Sequence, residues 1–113
     1  MLISRRPLRT RQPDLCFISH ARIGIAKDQI EGAPDLVVEI LSPGNTRRKV
    51  SEKLDDYARV GVPEVWVANP KSKTLDIQVL SEDKYRSVSV CSAGQRVPSK
   101  VLPGFLLPAG AFE

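Results

Sequence analysis

Residues 36–41 constrain the fold of this chain more than any other segment. They read Leu-Val-Val-Glu-Ile-Leu, and a run so nearly apolar throughout is typical of a strand buried on both faces. A shorter strand is predicted over residues 15–19, and each strand follows a Pro-Asp pair, at 13–14 and 34–35. Because proline lacks the donor that a strand ladder needs, the prolines are expected to mark strand starts. We therefore expect two neighbouring strands of one sheet, joined by a surface loop.

The rest of the chain predicts one helix followed by further strands. Thr46 is placed to cap a helix whose apolar residues Val50, Leu54 and Tyr57 recur at helical spacing. Gly61 is placed to end that helix. Strands are predicted over residues 64–68, 75–80, 85–91 and 100–102, with turns at 69–70 and 81–84. This order indicates a mixed α/β sheet in a single domain covering residues 1–113.

The length and composition exclude several classes of protein. The 113 residues suffice for one small domain. Hydrophobic residues make up 42% and charged residues 27%, which excludes a wholly disordered chain, and no apolar run is long enough to cross a membrane. No secretory signal follows Met1, so we expect a cytoplasmic protein without a membrane partner. In that compartment Cys16 and Cys91 are expected to be small buried residues rather than a disulfide or a metal site.

The positive charge is concentrated in two clusters. The formal net charge is +4, and basic residues crowd residues 5–11 and again residues 47–49. Such clusters are compatible with a polyanionic partner such as nucleic acid. They are equally compatible with ordinary solubilising charge.

Glu39 is the anomaly in the apolar run, because a carboxylate buried without a partner costs several kcal/mol. Strand alternation places Asp35 and Glu39 on one face. If the two strands pair antiparallel, Asp14 lies near Glu39. An all-oxygen cluster of this kind suits a hard cation such as Mg²⁺ better than zinc. The alternative is a structural ion pair, with Glu39 satisfied by an arginine or by backbone donors.

Lys53 is the second unusual residue. On a helical wheel it lies beside the apolar stripe, three residues after Val50 and four before Tyr57, so it is directed toward the sheet. One interpretation is a boundary lysine whose stem covers the core while its amine reaches water. The other is that Lys53 and the carboxylates together form an active site that cleaves phosphodiester bonds.

Several segments together carry a resemblance to a known family. They are the stretch Pro-Asp-Leu-Val-Val-Glu-Ile-Leu-Ser-Pro at 34–43, Lys53-Leu54, Tyr57-Ala58, and residues 12–15, 61–67, 69–70 and 102–105. Through these segments, the chain resembles the Uma-type family of candidate restriction endonucleases, long catalogued as a domain of unknown function. That family belongs to the restriction-endonuclease-like PD-(D/E)XK superfamily.

The resemblance implies a fold and a chemistry. The fold would be a restriction-endonuclease-like mixed α/β sheet with a helix after the second motif strand and a β-rich C-terminal part. The chemistry would be hydrolysis of DNA phosphodiester bonds with Mg²⁺ or Mn²⁺. Asp14 matches the aspartate of the first motif and Glu39 the acidic residue of the second. Leu41 stands where the superfamily usually has a lysine, and Lys53 matches a lysine moved to the helix. Asp35 belongs to the pattern too, either as a metal ligand or as a cap of the strand.

The chain departs from the resemblance at its N-terminus. Relatives usually carry several dozen further residues before the Pro13-Asp14 strand, so the chain looks truncated, without the usual N-terminal helix and first strand. The basic residues 1–12 are not expected to replace those elements. The edge of the sheet would then be open or covered by another protomer, and we expect a homodimer.

These observations lead to one main interpretation and two rivals. The main one is an endonuclease in which Asp14, Glu39 and Asp35 hold the metal and Lys53 orients water or stabilises phosphate charge. The first rival is a catalytically inactive remnant that serves as a nucleic-acid-binding or dimerisation module. The second is a toxin-antitoxin or mobile-element accessory protein that acts by protein contact.

Overall fold

One helix packs on a five-stranded mixed sheet in the computed structural model, which describes residues 1–5, 8–19 and 32–112. The elements are β1 (Leu2–Arg5), β2 (Leu8–Thr10), β3 (Leu15–Phe17), β4 (Leu36–Ile40), α1 (Arg47–Val60), β5 (Glu64–Asn69), β6 (Thr74–Ser81) and β7 (Lys84–Ser92). The sheet order is β3-β4-β5-β6-β7, and β1 and β2 form a separate hairpin. This confirms the predicted mixed α/β fold. The loop predicted after β3 lies mostly outside the described residues.

Strand β4 lies inside the sheet, as its apolar sequence predicted. It pairs antiparallel with β3, with Leu15 opposite Val38, and parallel with β5, with Glu39 opposite Val67. Its side chains alternate between two faces. Val37 packs into a core under α1. Leu36 packs into a second core on the opposite face, beneath residues 97–112, which form the C-terminal segment.

Helix α1 has the ends that its sequence predicted. The Thr46 hydroxyl accepts a hydrogen bond from the Lys49 backbone N–H at 3.1 Å, and Gly61 ends the helix with a φ of 86°, a conformation that favours glycine. Tyr57 is fully buried against the sheet. In the described part of the chain, no helix combines the length and the apolar character that crossing a membrane requires.

The N-terminal hairpin is a feature that the sequence analysis did not predict. β1 and β2 pair antiparallel, and Met1 and Ile3 are buried in the same core as Tyr57. Arg11 follows the hairpin and donates from Nε to Asp56 on α1 at 2.7 Å. The first residues are therefore part of the core under the helix and not only a basic segment.

Two local predictions were wrong. Cys91 is buried as expected, but Cys16 is exposed because it lies on β3, an edge strand of the described sheet. Residues 100–102 form no strand. Ser99 Oγ instead accepts hydrogen bonds from the backbone N–H groups of Val101 and Leu102, which closes a turn there.

Candidate active site

Glu39 is a carboxylate buried inside the sheet, with an exposed fraction of only 4%. Strand alternation directs it to the face covered by α1. Burial is the main cause of a pKa raised above the usual value for a glutamate, since a low-dielectric environment disfavours the charged form. Tyr57, Lys53 and Asp14 each interact with this carboxyl group.

Tyr57 is the closest partner of Glu39. Its hydroxyl donates a hydrogen bond to Glu39 Oε1. Burial, and then this hydrogen bond to a carboxylate, raise the pKa of Tyr57, so the phenol stays protonated as a donor. The sequence analysis assigned Tyr57 to the core alone. The spacing of four residues from Lys53, which puts both side chains on one face of the helix, was noted there only for Lys53 and not used for the Tyr57 hydroxyl.

Lys53 lies where its helical position predicted. Its Nζ is 3.5 Å from Glu39 Oε2, and its side chain is 30% exposed. The positive charge lowers the pKa of Glu39 and so offsets part of the effect of burial. Lys53 therefore connects the buried carboxylate to the surface.

Asp14 reaches the site from the neighbouring strand. The antiparallel register of β3 and β4 places it opposite Glu39, as the sequence analysis predicted. Its Oδ2 accepts a hydrogen bond from the Ile40 backbone N–H at 2.7 Å. Its negative charge raises the pKa of Glu39, so the two carboxylates interact electrostatically.

Asp35 is not brought into this group. It precedes β4 at the other end of the strand, roughly 13 Å from Glu39 along the backbone. There its Oδ2 accepts a hydrogen bond from the Ser19 backbone N–H at 2.6 Å. Within the described ranges, no three side chains of the His, Cys, Asp or Glu type are grouped to hold a metal ion. The predicted set of three carboxylates is therefore reduced to two, Asp14 and Glu39.

Two carboxylates still fit a hard divalent cation. Magnesium is commonly held by one or two carboxylates, with waters and substrate phosphates as the remaining ligands. A crevice of about 10 Å³ is lined by both Glu39 and Lys53, which is about the space that one water molecule needs. Since each carboxylate oxygen has two lone pairs, Asp14 and Glu39 keep acceptor capacity beyond their present hydrogen bonds.

The match to a family of restriction endonucleases defines the class of this protein. Residues 1–110 match the Uma2 family, described as putative restriction endonuclease, and the chain belongs to this family. The fold is similar to that of a putative nuclease belonging to DUF820 from Anabaena variabilis, with a TM-score of 0.69 and 20% sequence identity. That match covers 90% of this chain but only 59% of the relative. None of the curated proteins matches the chain.

Proposed function

We propose that this chain is a Mg²⁺-dependent nuclease that hydrolyses phosphodiester bonds of DNA, with Asp14, Glu39 and Lys53 as its catalytic residues. One observation carries the proposal. Lys53 from α1 and Asp14 from the end of a neighbouring strand converge on a carboxylate that is 4% exposed. Membership of a restriction endonuclease family and the nuclease-like fold support it. Restriction-endonuclease-like families generally use divalent metals.

Asp14 and Glu39 would hold the metal ion. When bound, Mg²⁺ or Mn²⁺ supplies positive charge that polarises a phosphate and stabilises the negative charge of its transition state. A nearby cation also favours the ionised form of Glu39, which burial now disfavours. The donor set is entirely oxygen, which matches the preference of these ions.

Lys53 would act on the substrate directly. Its amine lies on the partly exposed side of the site, where it can donate a hydrogen bond to a phosphate oxygen or orient the attacking water. Tyr57 is a positioning residue in this arrangement, because its buried hydroxyl fixes one oxygen of Glu39. The helix thus contributes one group for the substrate and one for the metal ligand.

A cleavage assay with a matched lysine control tests the proposal. Labelled DNA is incubated with the protein and Mg²⁺, Mn²⁺ or EDTA, and cleavage is expected only with a metal. Lys53→Met retains most of the stem and should lower the rate by about a hundredfold or more. Lys49→Met removes an exposed lysine one turn earlier on the same helix and should change the rate far less. Equal rates for the two variants would remove Lys53 from the catalytic group.

Metal binding is tested separately from cleavage. Calorimetric titration with Mn²⁺ should show one site in the wild type and a greatly weakened site in Glu39→Gln. Because the ion binds the folded state, it should also raise the melting temperature of the wild type alone. Equal binding by both proteins, or binding by neither, would contradict the assignment of Glu39 as a ligand.

A second candidate function is a dimerisation module without catalysis, as the sequence analysis considered. The observation that favours it is the surface of edge strand β3, where Leu15 is 60% and Phe17 39% exposed among the described residues. Exposed apolar side chains beside an open strand edge are typical of a contact surface. Light scattering in moderate salt decides this candidate. A dimer that Phe17→Lys converts to a monomer would support it, and a monomeric wild type would exclude it.

A further inference from the structure

A groove extends from the candidate active site across the carboxyl ends of strands β4 and β5. Parallel strands β4 and β5 end side by side, with the Leu41 backbone N–H donating to Ala68 O at 2.8 Å. A cavity of about 640 Å³ lies at these ends. Its walls include Leu41, Pro43, Asn45, Asn69, Pro70 and Lys71. Ligands of open α/β sheets typically bind outside the carboxyl ends of the strands.

This groove adjoins the crevice beside Glu39. Leu41 and Asn45 line both the cavity and the crevice that Glu39 and Lys53 share. The same two residues and Asn69 also line a neighbouring cavity of about 470 Å³. A ligand lying in the groove would therefore extend directly to the proposed catalytic residues.

Several polar groups of the groove can donate hydrogen bonds to a ligand. Asn45 Oδ1 accepts hydrogen bonds from the backbone N–H and the hydroxyl of Ser42. Asn69 Oδ1 accepts from the backbone N–H groups of Lys71 and Ser72 at 3.0 and 3.2 Å. With both amide oxygens held by turns, the NH₂ groups are the parts of these side chains that remain for a ligand. The Lys71 amine adds a positive charge, and no carboxylate is among the described residues that line the cavity.

Donors at the rim and apolar walls together match the chemistry of a nucleotide. The phosphate and the base carbonyl groups accept hydrogen bonds, and the sugar and the base face pack on proline and leucine. The volume lies within the usual range of about 300–1,000 Å³ for small-ligand sites. A duplex can place a nucleotide in such a groove only by unpairing and unstacking it, whereas an unpaired strand avoids most of that cost.

We propose that this groove binds an unpaired nucleotide of the DNA strand, adjacent to the bond that is cut. The inference rests on the proposed function for the cleavage step. It specifies the substrate as single-stranded DNA or an unpaired end, and it assigns Asn45, Asn69 and Lys71 as binding residues.

Binding is measured as fluorescence anisotropy of a labelled oligodeoxythymidylate in EDTA, so that no cleavage occurs. Asn69→Asp retains the oxygen that accepts from Lys71 N and Ser72 N, so the turn is preserved. The variant replaces the NH₂ donor with a negative charge and should weaken binding about tenfold. Gln95→Glu is the matched control, because the Gln95 amide oxygen also holds a turn, by accepting from Ser92 N at 2.7 Å, but lies away from the groove. This control should bind like the wild type.

A lysine pair gives an independent measurement. Lys71→Met should weaken binding several-fold and reduce its salt dependence, because the variant loses one phosphate contact. Lys84→Met removes an exposed lysine at the β6–β7 turn and should bind like the wild type. A duplex of the same length should bind more weakly than the single strand.

The outcomes separate the groove from the catalytic proposal. Wild-type binding by both Asn69→Asp and Lys71→Met, or no binding by the wild type itself, would overturn the groove. Equal binding of duplex and single strand, weakened alike by Asn69→Asp, would overturn the unpaired substrate. If the variants weaken binding but no metal supports cleavage, the proposed function fails while the groove stands. If the wild type cleaves and the groove variants bind and cleave equally well, the proposed function stands while the groove proposal fails.

Discussion

Two buried glutamates on neighbouring strands differ in almost every respect except burial. Glu39 on β4 is 4% exposed and Glu64 on β5 is 2% exposed. Glu39 faces α1, whereas Glu64 contacts the C-terminal segment on the opposite face of the sheet. Both occur in apolar strands, so burial alone does not distinguish a catalytic carboxylate from a structural one.

The partners of Glu64 are neutral donors. The indole N–H of Trp66 donates to Oε2 at 2.7 Å, and the Ser99 hydroxyl donates to the same oxygen at 2.5 Å. The Lys100 backbone N–H donates to Oε1 at 3.2 Å. These bonds attach the segment after β7 to the sheet, and no described cavity is lined by Glu64.

Glu39 has one neutral donor, the Tyr57 hydroxyl, but its other partners are charged groups at the edge of a cavity. Lys53 is partly exposed, Asp14 carries a like charge nearby, and the crevice between Glu39 and Lys53 opens toward the groove. Hydrogen bonds to neutral donors stabilise one fixed structure, whereas a second carboxylate can share a metal ion with Glu39, and a partly exposed amine can turn from Glu39 to a phosphate. The comparison therefore assigns structure to Glu64 and supports chemistry at Glu39.

The largest stability effect is expected at Glu64. Glu64→Ala leaves three donors without their acceptor, and we expect a loss of about 3 kcal/mol or more in the free energy of unfolding. Glu64→Gln keeps one acceptor oxygen and should lose less. Urea unfolding followed by circular dichroism gives both values. An unfolding free energy equal to that of the wild type in Glu64→Ala would contradict the structural role.

Much of the fold follows from local sequence. The helix ends are encoded by Thr46 and Gly61, each of which acts on backbone groups within four residues. Strand β4 is encoded by its apolar run. The approach of Asp14 to Glu39 could also be predicted, because antiparallel pairing brings the start of the first strand beside the end of the second.

Contacts between distant segments could not be predicted in this way. Ser99 is 35 residues from Glu64, and nothing near either residue indicates that they meet. The burial of Met1 and Ile3 depends on a hairpin docking under a helix that begins more than 40 residues later. The proposed role of Asn69 in the groove depends on its position at the end of β5, which is set by the parallel pairing with β4.

A smaller effect is expected from Tyr57→Phe. The ring still fills the core, so the variant loses only the hydrogen bond to Glu39, which is worth about 1 kcal/mol. That bond lowers the pKa of Glu39, so its removal should raise this pKa further. An NMR titration of the Glu39 carboxyl group measures the change. A lower pKa in the variant would show that Tyr57 does not stabilise the ionised form.

The smallest effect on stability at neutral pH is expected from Glu39→Gln, in contrast to Glu64. The pKa of Glu39 is raised in the folded state above its ordinary value of 4.5. Between these two pKa values the folded protein holds a proton that the unfolded chain has released, so the unfolding free energy falls as pH rises. This contribution is fully present below pH 4.5 and is lost above the pKa of the folded state.

Glutamine cannot ionise and still accepts from Tyr57, so Glu39→Gln should lack this fall. The released Lys53 remains partly exposed to water, which limits the cost of losing its partner. Other carboxyl groups titrate in both proteins, and the difference between the two unfolding curves across pH therefore isolates Glu39. The variant should match or exceed the wild type at neutral pH and lose this advantage in acid. A loss at neutral pH as large as that of Glu64→Ala would mean that Glu39, too, is held there for the fold.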